Sequence, residues 1–176
     1  MSEFLFPDNT VLCNYGAVKE LALLESLLRG NGRWTQGVYL EARRSTSFVP
    51  PLATIFSTGW LGAPIEVPND AAVERLRVAA FDGDPDIPTE HLGEAETCYL
   101  IKNDVSYSFS TWITDDEAAF EFAKRQGITT WDTRDTVERL IADGDITAQR
   151  GFDLMGEMWE EGRTPRRMPD RWQDLR

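Results

Sequence analysis

The chain is poor in the residues that many enzymes work with. Its 176 residues include a single histidine, His91, and only two cysteines, Cys13 and Cys98. One imidazole, with no GxSxG elbow, leaves a Ser/His/Asp hydrolase without support. Two thiols without CxxC or Cys/His spacing argue against a zinc site or a disulfide framework and read as buried free cysteines. Long apolar runs are missing too, since no stretch approaches the ~18 residues of a membrane span. Basic residues are outnumbered, 18 Lys and Arg against 30 Asp and Glu, for a net charge of −12. A surface of that sign repels a polyanion at long range and argues against nonspecific coating of nucleic acid. Glu3 stands where a signal peptide would carry basic residues, so a cytoplasmic location without membrane contact is expected. The chemistry, if any, falls to carboxylates.

What is present suits one folded domain. Hydrophobic residues make up 41% and charged residues 27%, ordinary proportions for a globular protein with a sizeable core. The charge is unevenly placed: residues 163–176 hold five arginines against two aspartates, which sets a basic C-terminal tail, 164–176, apart from a domain over 1–163.

Hydrophobic spacing alternates between strand and helix. FLF at 4–6, stopped by Pro7, is too short for a stable helix and reads as a buried strand. Asn9 and Thr10 are plausible N-caps for a helix through GAVKELALLESLLRGNG, with Val18, Leu21, Leu24 and Leu28 at helical intervals and Gly30 as the stop. TQGVYLEARR reads as a helix capped by Thr35, with Val38 and Ala42 on one face and Glu41 beside it. Residues 48–64 read as a short helix and loop, 64–67 as a short strand. Asn69 or Asp70 caps a helix whose apolar positions are Ala72, Val73, Leu76 and Ala80. DGDPDIPTEH is loop, and a helix follows from about Gly93. FSTWIT at 109–114 and ITTW are strands; helices are expected over DDEAAFEFAKRQG, TRDTVERLIADG and TAQRGFDLMGEMWEEG.

This alternation predicts an α/β fold, a three-layer sandwich with a mostly parallel central sheet flanked by helices. Ligands in such sheets bind beyond the carboxyl ends of the strands. Asp8 follows the first strand, and Asp115 and Asp116 end the one at 109–114. Carboxylates gathered at one sheet edge repel one another, and a hard divalent cation relieves that repulsion. Each acid taken singly also suits a helix cap or first turn.

Taken in order, these segments resemble the PIN-domain nucleases, the family that includes the toxin ribonucleases of bacterial toxin–antitoxin pairs. DNTVL at 8–12 is similar to the opening strand-end motif, and GVYLEARR, with Val38 and Glu41, to the second element. GEAETCYLI is similar to the third motif, and TWITDDEAAFEFAKRQGI to the fourth. WDTRDTVERLIADGDIT, with Thr133 in its turn, and ITAQRGFDLMGEMWEEGR extend the likeness to residues 4–163. The third motif offers Glu94 and Glu96, of which Glu96 is favoured because TCYLI follows it; the fourth offers Asp115 and Asp116, of which Asp116 aligns better.

The resemblance implies metal-dependent hydrolysis of RNA phosphodiester bonds. Asp8, Glu41, Glu96 and Asp116 would hold Mg²⁺ or Mn²⁺, with Glu94 and Asp115 as secondary acids and Thr10 or Thr133 orienting a carboxylate or a water. The implied partners are an RNA substrate and a small antitoxin protein. Trp60, Trp159 and Trp172 are candidates for a homodimer surface, with core packing as the alternative. A PIN-like module that binds RNA or protein without cleaving is the alternative function.

Overall fold

The structure, a computed structural model, describes residues 3–68 and 70–175. Among these the chain runs β1 (Leu5–Pro7), α1 (Asn9–Ala17), α2 (Leu21–Leu28), α3 (Gln36–Ser45), α4 (Ala53–Thr58), α5 (Asp70–Phe81) and α6 (Leu92–Asn103). It continues through β2 (Thr111–Ile113), α7 (Glu117–Arg125), β3 (Thr129–Trp131), α8 (Thr133–Ala142) and α9 (Ala148–Glu160). The strands form one parallel sheet in the order β1-β2-β3, with Leu5 opposite Thr111 and Thr111 opposite Thr129. Two single-residue parallel bridges, Leu5 to Gly32 and Thr35 to Ile65, extend the pairing beyond β1. The strand expected at 64–67 is therefore one bridge. The helix cap expected at Asn69 lies outside the described residues.

Parallel strands buried on both faces must be apolar on both. Leu5 and Ile113 enter a core built with α1, α2, α3, α8 and α9, whereas Phe6 and Trp112 enter another built with α5, α6 and α7. The architecture is α/β and consistent with a three-layer sandwich. No helix among the described residues is long and apolar enough to cross a membrane. Cys13 and Cys98 are buried free thiols.

The first helix differs from its sequence pattern. The run expected to continue to Gly30 breaks after Ala17, where Lys19 takes a left-handed φ of 61°. The Glu20 N–H donates to the Tyr15 carbonyl and the Lys19 N–H to that of Gly16, at 2.9 and 3.1 Å, a Schellman ending with lysine in the place usually given to glycine. The last turn of α1 packs closely on the segment that precedes α4, where a side chain at Gly16 would meet Val49 Cγ1 at 2.9 Å. Helix α1 also begins earlier than its pattern suggests. Asp8, not Asn9 or Thr10, is its N-cap.

Residues 164–175 are packed onto the body. Leu175 is buried in the core with α8 and α9, and Arg134 Nη2 donates to the Asp174 carbonyl at 2.6 Å. Trp60 packs against the same core, while Trp159 and Trp172 are exposed.

Candidate functional site

The carboxyl end of β1 delivers Asp8 to the start of α1. Its side chain is buried and fully engaged: Oδ1 accepts from the Asn9 N–H at 2.5 Å, and Oδ2 from the Thr10 and Thr114 hydroxyls at 3.0 and 2.9 Å. Beside it, α3 and α6 cross at two glycines. A Cβ on Gly37 would lie 2.7 Å from the Gly93 nitrogen, so the helices approach closer than any other residue pair would allow. That approach lets Glu41 of α3 accept from the Gly93 N–H at 3.2 Å and sets it near Glu94, in the first turn of α6.

Asp8, Glu41 and Glu94 line one cleft of about 400 Å³, together with Arg44, Thr89 and His91. Size does not single this cleft out, since hollows of about 430 and 610 Å³ occur elsewhere; its acids do. Burial, reinforced by the Glu94 charge, pushes the Asp8 carboxyl up to about 7 against its hydrogen bonds. Burial and the charges of Glu94 and Asp8 push Glu41 up to about 9. Glu94 Oε1 lies 3.3 Å from His91 Nδ1, while its buried Oε2 has no hydrogen-bond partner. Buried carboxylate oxygens are normally paired, and this one faces two other acids. Among the described residues no three or more His, Cys, Asp or Glu side chains are drawn into a ready-made metal cage. Three mutually repelling acids and an orphaned oxygen are nonetheless a donor set whose charge a divalent cation would balance.

A second network continues along the strand ends. The Thr10 hydroxyl that donates to Asp8 also accepts from the Asp115 N–H at 3.2 Å. The Asp115 carboxylate accepts from Asn14 Nδ2 at 2.6 Å, from the Thr133 N–H at 3.0 Å and hydroxyl, and from the Arg166 N–H at 3.2 Å. Burial raises its pKa, opposed chiefly by the Thr133 hydroxyl. Thr10 and Thr133 thus each donate to a carboxylate.

Of the residues singled out from sequence, Asp8, Glu41, Glu94, Asp115, Thr10 and Thr133 come together. Glu96 does not, and of Asp116 only the backbone does, its N–H donating to the Thr114 hydroxyl at 3.1 Å. Glu96 lies two residues beyond Glu94, about 200° around the helix, and accepts from the Gly37 N–H at 2.6 Å at the start of α3. Its pKa is raised by burial, against that N–H and the Thr35 hydroxyl. Asp116 caps α7 by accepting from the Ala119 N–H at 2.7 Å. Sequence reasoning missed Asn14 and Thr114; Arg44, with Arg43, Lys124 and Arg125, is a candidate cation for phosphate contacts from sequence, and of these four only Arg44 lines the cleft. Asn14 carried a signal, being an amide within the apolar run VLCNYGA; the Arg44 guanidinium donates to Thr89 at 3.1 Å on the cleft rim.

Compared with family models, curated proteins and solved structures, the chain matches none.

Proposed function

We propose that the chain is a Mg²⁺- or Mn²⁺-dependent endoribonuclease of the PIN-like kind, with Asp8, Glu41 and Glu94 as the metal-binding acids. The observation that carries this reading is the cleft in which burial and the Glu94 charge raise the proton affinity of Asp8 and Glu41 while Glu94 Oε2 stands unpaired. When bound, a divalent ion supplies an activated water and stabilises charge on the attacked phosphate and the leaving oxygen. The chain's residues prepare for that. Thr10 and Thr114 aim Oδ2 of Asp8, the Gly93 N–H holds Glu41, and Asp115 ties Thr10, Asn14 and Thr133 into one support. Arg44 on the rim offers a cation to a substrate phosphate. The strongly acidic chain also suits a small basic protein partner by electrostatic complementarity, as an antitoxin would be.

Cleavage of unstructured RNA in Mn²⁺, with and without EDTA, tests the reading. Asp8→Asn and Glu94→Gln should each reduce metal-dependent cleavage by at least about 100-fold, the scale on which one preorganised group matters in an active site. Glu96→Gln should lower the melting temperature and leave cleavage in place, because Glu96 serves α3. Cleavage that ignores EDTA, or that survives Asp8→Asn, would defeat the proposal. The capping role of Asp8, whose two oxygens already accept hydrogen bonds, favours a second reading as a module that binds RNA or protein without cutting. That reading is left standing if RNA is bound and never cut.

A further inference from the structure

A groove of about 610 Å³ lies where α1 and α3 end, walled by Pro50 and Pro51 on one side and by Arg163 on the other. Phe48, an aromatic residue left 65% exposed, is among its lining residues. Lys19 and Arg163 line it against one acid, Glu161. Among the described residues neither cation has a carboxylate within ion-pair distance; of the partly buried arginines, Arg33 and Arg163 lack one, whereas Arg134, Arg150 and Arg166 are each matched to an acid. Two cations against one acid beside an exposed ring give this groove a positive balance in a protein of net charge −12.

Two hydrogen-bond chains link residues of the groove to residues around the acids. On one, Asn9 donates to the Ser45 hydroxyl at 3.0 Å, and the Ser45 carbonyl accepts from the Phe48 and Val49 N–H groups at 3.1 and 2.8 Å. On the other, Arg163 Nε donates to Asn14 Oδ1 at 3.2 Å, and the Asn14 amide donates to Asp115. Helix α1, nine residues long, separates Asp8 from the groove, a span of about 13 Å.

We propose that this groove seats one unpaired nucleotide of a single-stranded RNA, its base stacked on Phe48 and its phosphate between Lys19 and Arg163. The ribonuclease reading of the neighbouring cleft supplies the substrate class on which this rests. A base held in a duplex cannot offer its face to an aromatic ring, and sequence-tolerant binding of single strands combines such stacking with cations along the backbone. The groove thereby anchors the strand a short distance from the acids and sets which phosphate reaches them.

The test is fluorescence anisotropy of a labelled oligouridine with the full chain in EDTA, where binding is read without cleavage. Phe48→Ala should weaken binding about 5-fold or more, within the range that base stacking contributes, and Phe48→Trp should restore it. Lys19→Ala should flatten the salt dependence by about 0.7 in log–log slope, the value of one phosphate contact on a single strand. Melting temperatures of the Phe48 variants should match the parent, because the ring is exposed. Binding unchanged by Phe48→Ala and Lys19→Ala, no binding of the oligouridine, or preference for a polyglutamate peptide at the same residues would overturn the assignment. Loss of metal-dependent cleavage in Asp8→Asn is read separately: if that variant still cuts, the nuclease reading falls while the EDTA binding result decides the groove alone.

Discussion

Asp8 has two structural duties and a potential third. It closes β1, caps α1, and stands against Glu41 and Glu94 in a space too buried to solvate three charges. Acids whose pKa is raised by folding bind more protons in the native than in the unfolded state, so stability falls as pH rises through the interval between the two values. For Asp8 that interval runs from 3.8 to about 7, and for Glu41 from 4.5 to about 9. In EDTA these two acids should therefore make the protein lose melting temperature steadily from about pH 4 toward pH 9. Mn²⁺ should reverse the loss at pH 8, by replacing protons with metal and binding the native state alone. Asp8→Asn keeps a capping oxygen and removes one charge, so at pH 8 without metal it should match or exceed the parent in stability. Calorimetric melts across pH with and without Mn²⁺ decide it; a melting temperature that rises toward alkaline pH in EDTA would contradict the assignment. Which acids share the cleft was only partly legible in the sequence. Asp8 follows from a strand end, and Glu41 from the resemblance of GVYLEARR to the second PIN element. Choosing Glu94 over Glu96 requires the rotation of α6, and that rotation is set by the crossing of Gly37 and Gly93, a tertiary contact between segments far apart in the chain.

At the scale of elements, α5 shows what an apolar pattern leaves out. Of the expected positions Ala72, Val73, Leu76 and Ala80, Val73 is buried and Leu76 and Ala80 pack against the same core, yet the buried line runs Val73, Arg77 and Phe81. A charged residue holds the central core position because its partners are fixed in place. Arg77 Nη1 donates to the carbonyls of Asp84, Ile87 and Glu90 at 2.9, 3.0 and 3.1 Å, and Nε and Nη2 donate to Glu74. One guanidinium thereby ties down the loop before α6, and the far end of that loop supplies Thr89 and His91 to the acid cleft. Replacing it with an apolar side chain strands three carbonyls that a loop cannot pair internally. Arg77→Met should destabilise the fold on the order of 3 kcal/mol and raise amide exchange over residues 82–91 before any other region. Hydrogen-exchange mass spectrometry reads this directly, and exchange that rises uniformly over the chain would show that Arg77 serves the core and not the loop. Sequence periodicity cannot find such a residue, since its acceptors are backbone carbonyls and any composition supplies those.

For the whole molecule, the arginines after residue 163 give a basic terminal segment that is not free to act as one. Arg166 pairs with Glu117 at 2.7 Å and lies over the Phe120 ring, while Arg167 grips the buried Asp132 with two bonds of 2.6 and 2.7 Å and reaches Asp135 as well. The Arg166 N–H also feeds the Asp115 network. These contacts join α7, α8 and the strand ends, so the segment that composition marks as a tail holds the acidic side of the molecule together. The alternation of strand and helix was legible because each local period is short. The fate of this segment was not, because its partners, Asp132 among them, lie more than thirty residues away in sequence. Ending the chain at Arg163 removes both guanidinium bonds from Asp132, which is fully buried, and uncovers the apolar surface under Leu175. Hydrogen bonds to a charged group contribute about 1.5–3 kcal/mol each when they cannot be replaced by water. The truncated chain should consequently lose several degrees of melting temperature. Arg167→Met should account for on the order of 2 kcal/mol of that loss, and high salt should not reproduce it, because screening acts weakly on a partner removed from solvent. Urea titrations of the parent, the truncation and Arg167→Met separate the contributions; a truncated chain as stable as the parent would show that the acidic body closes without its basic strap.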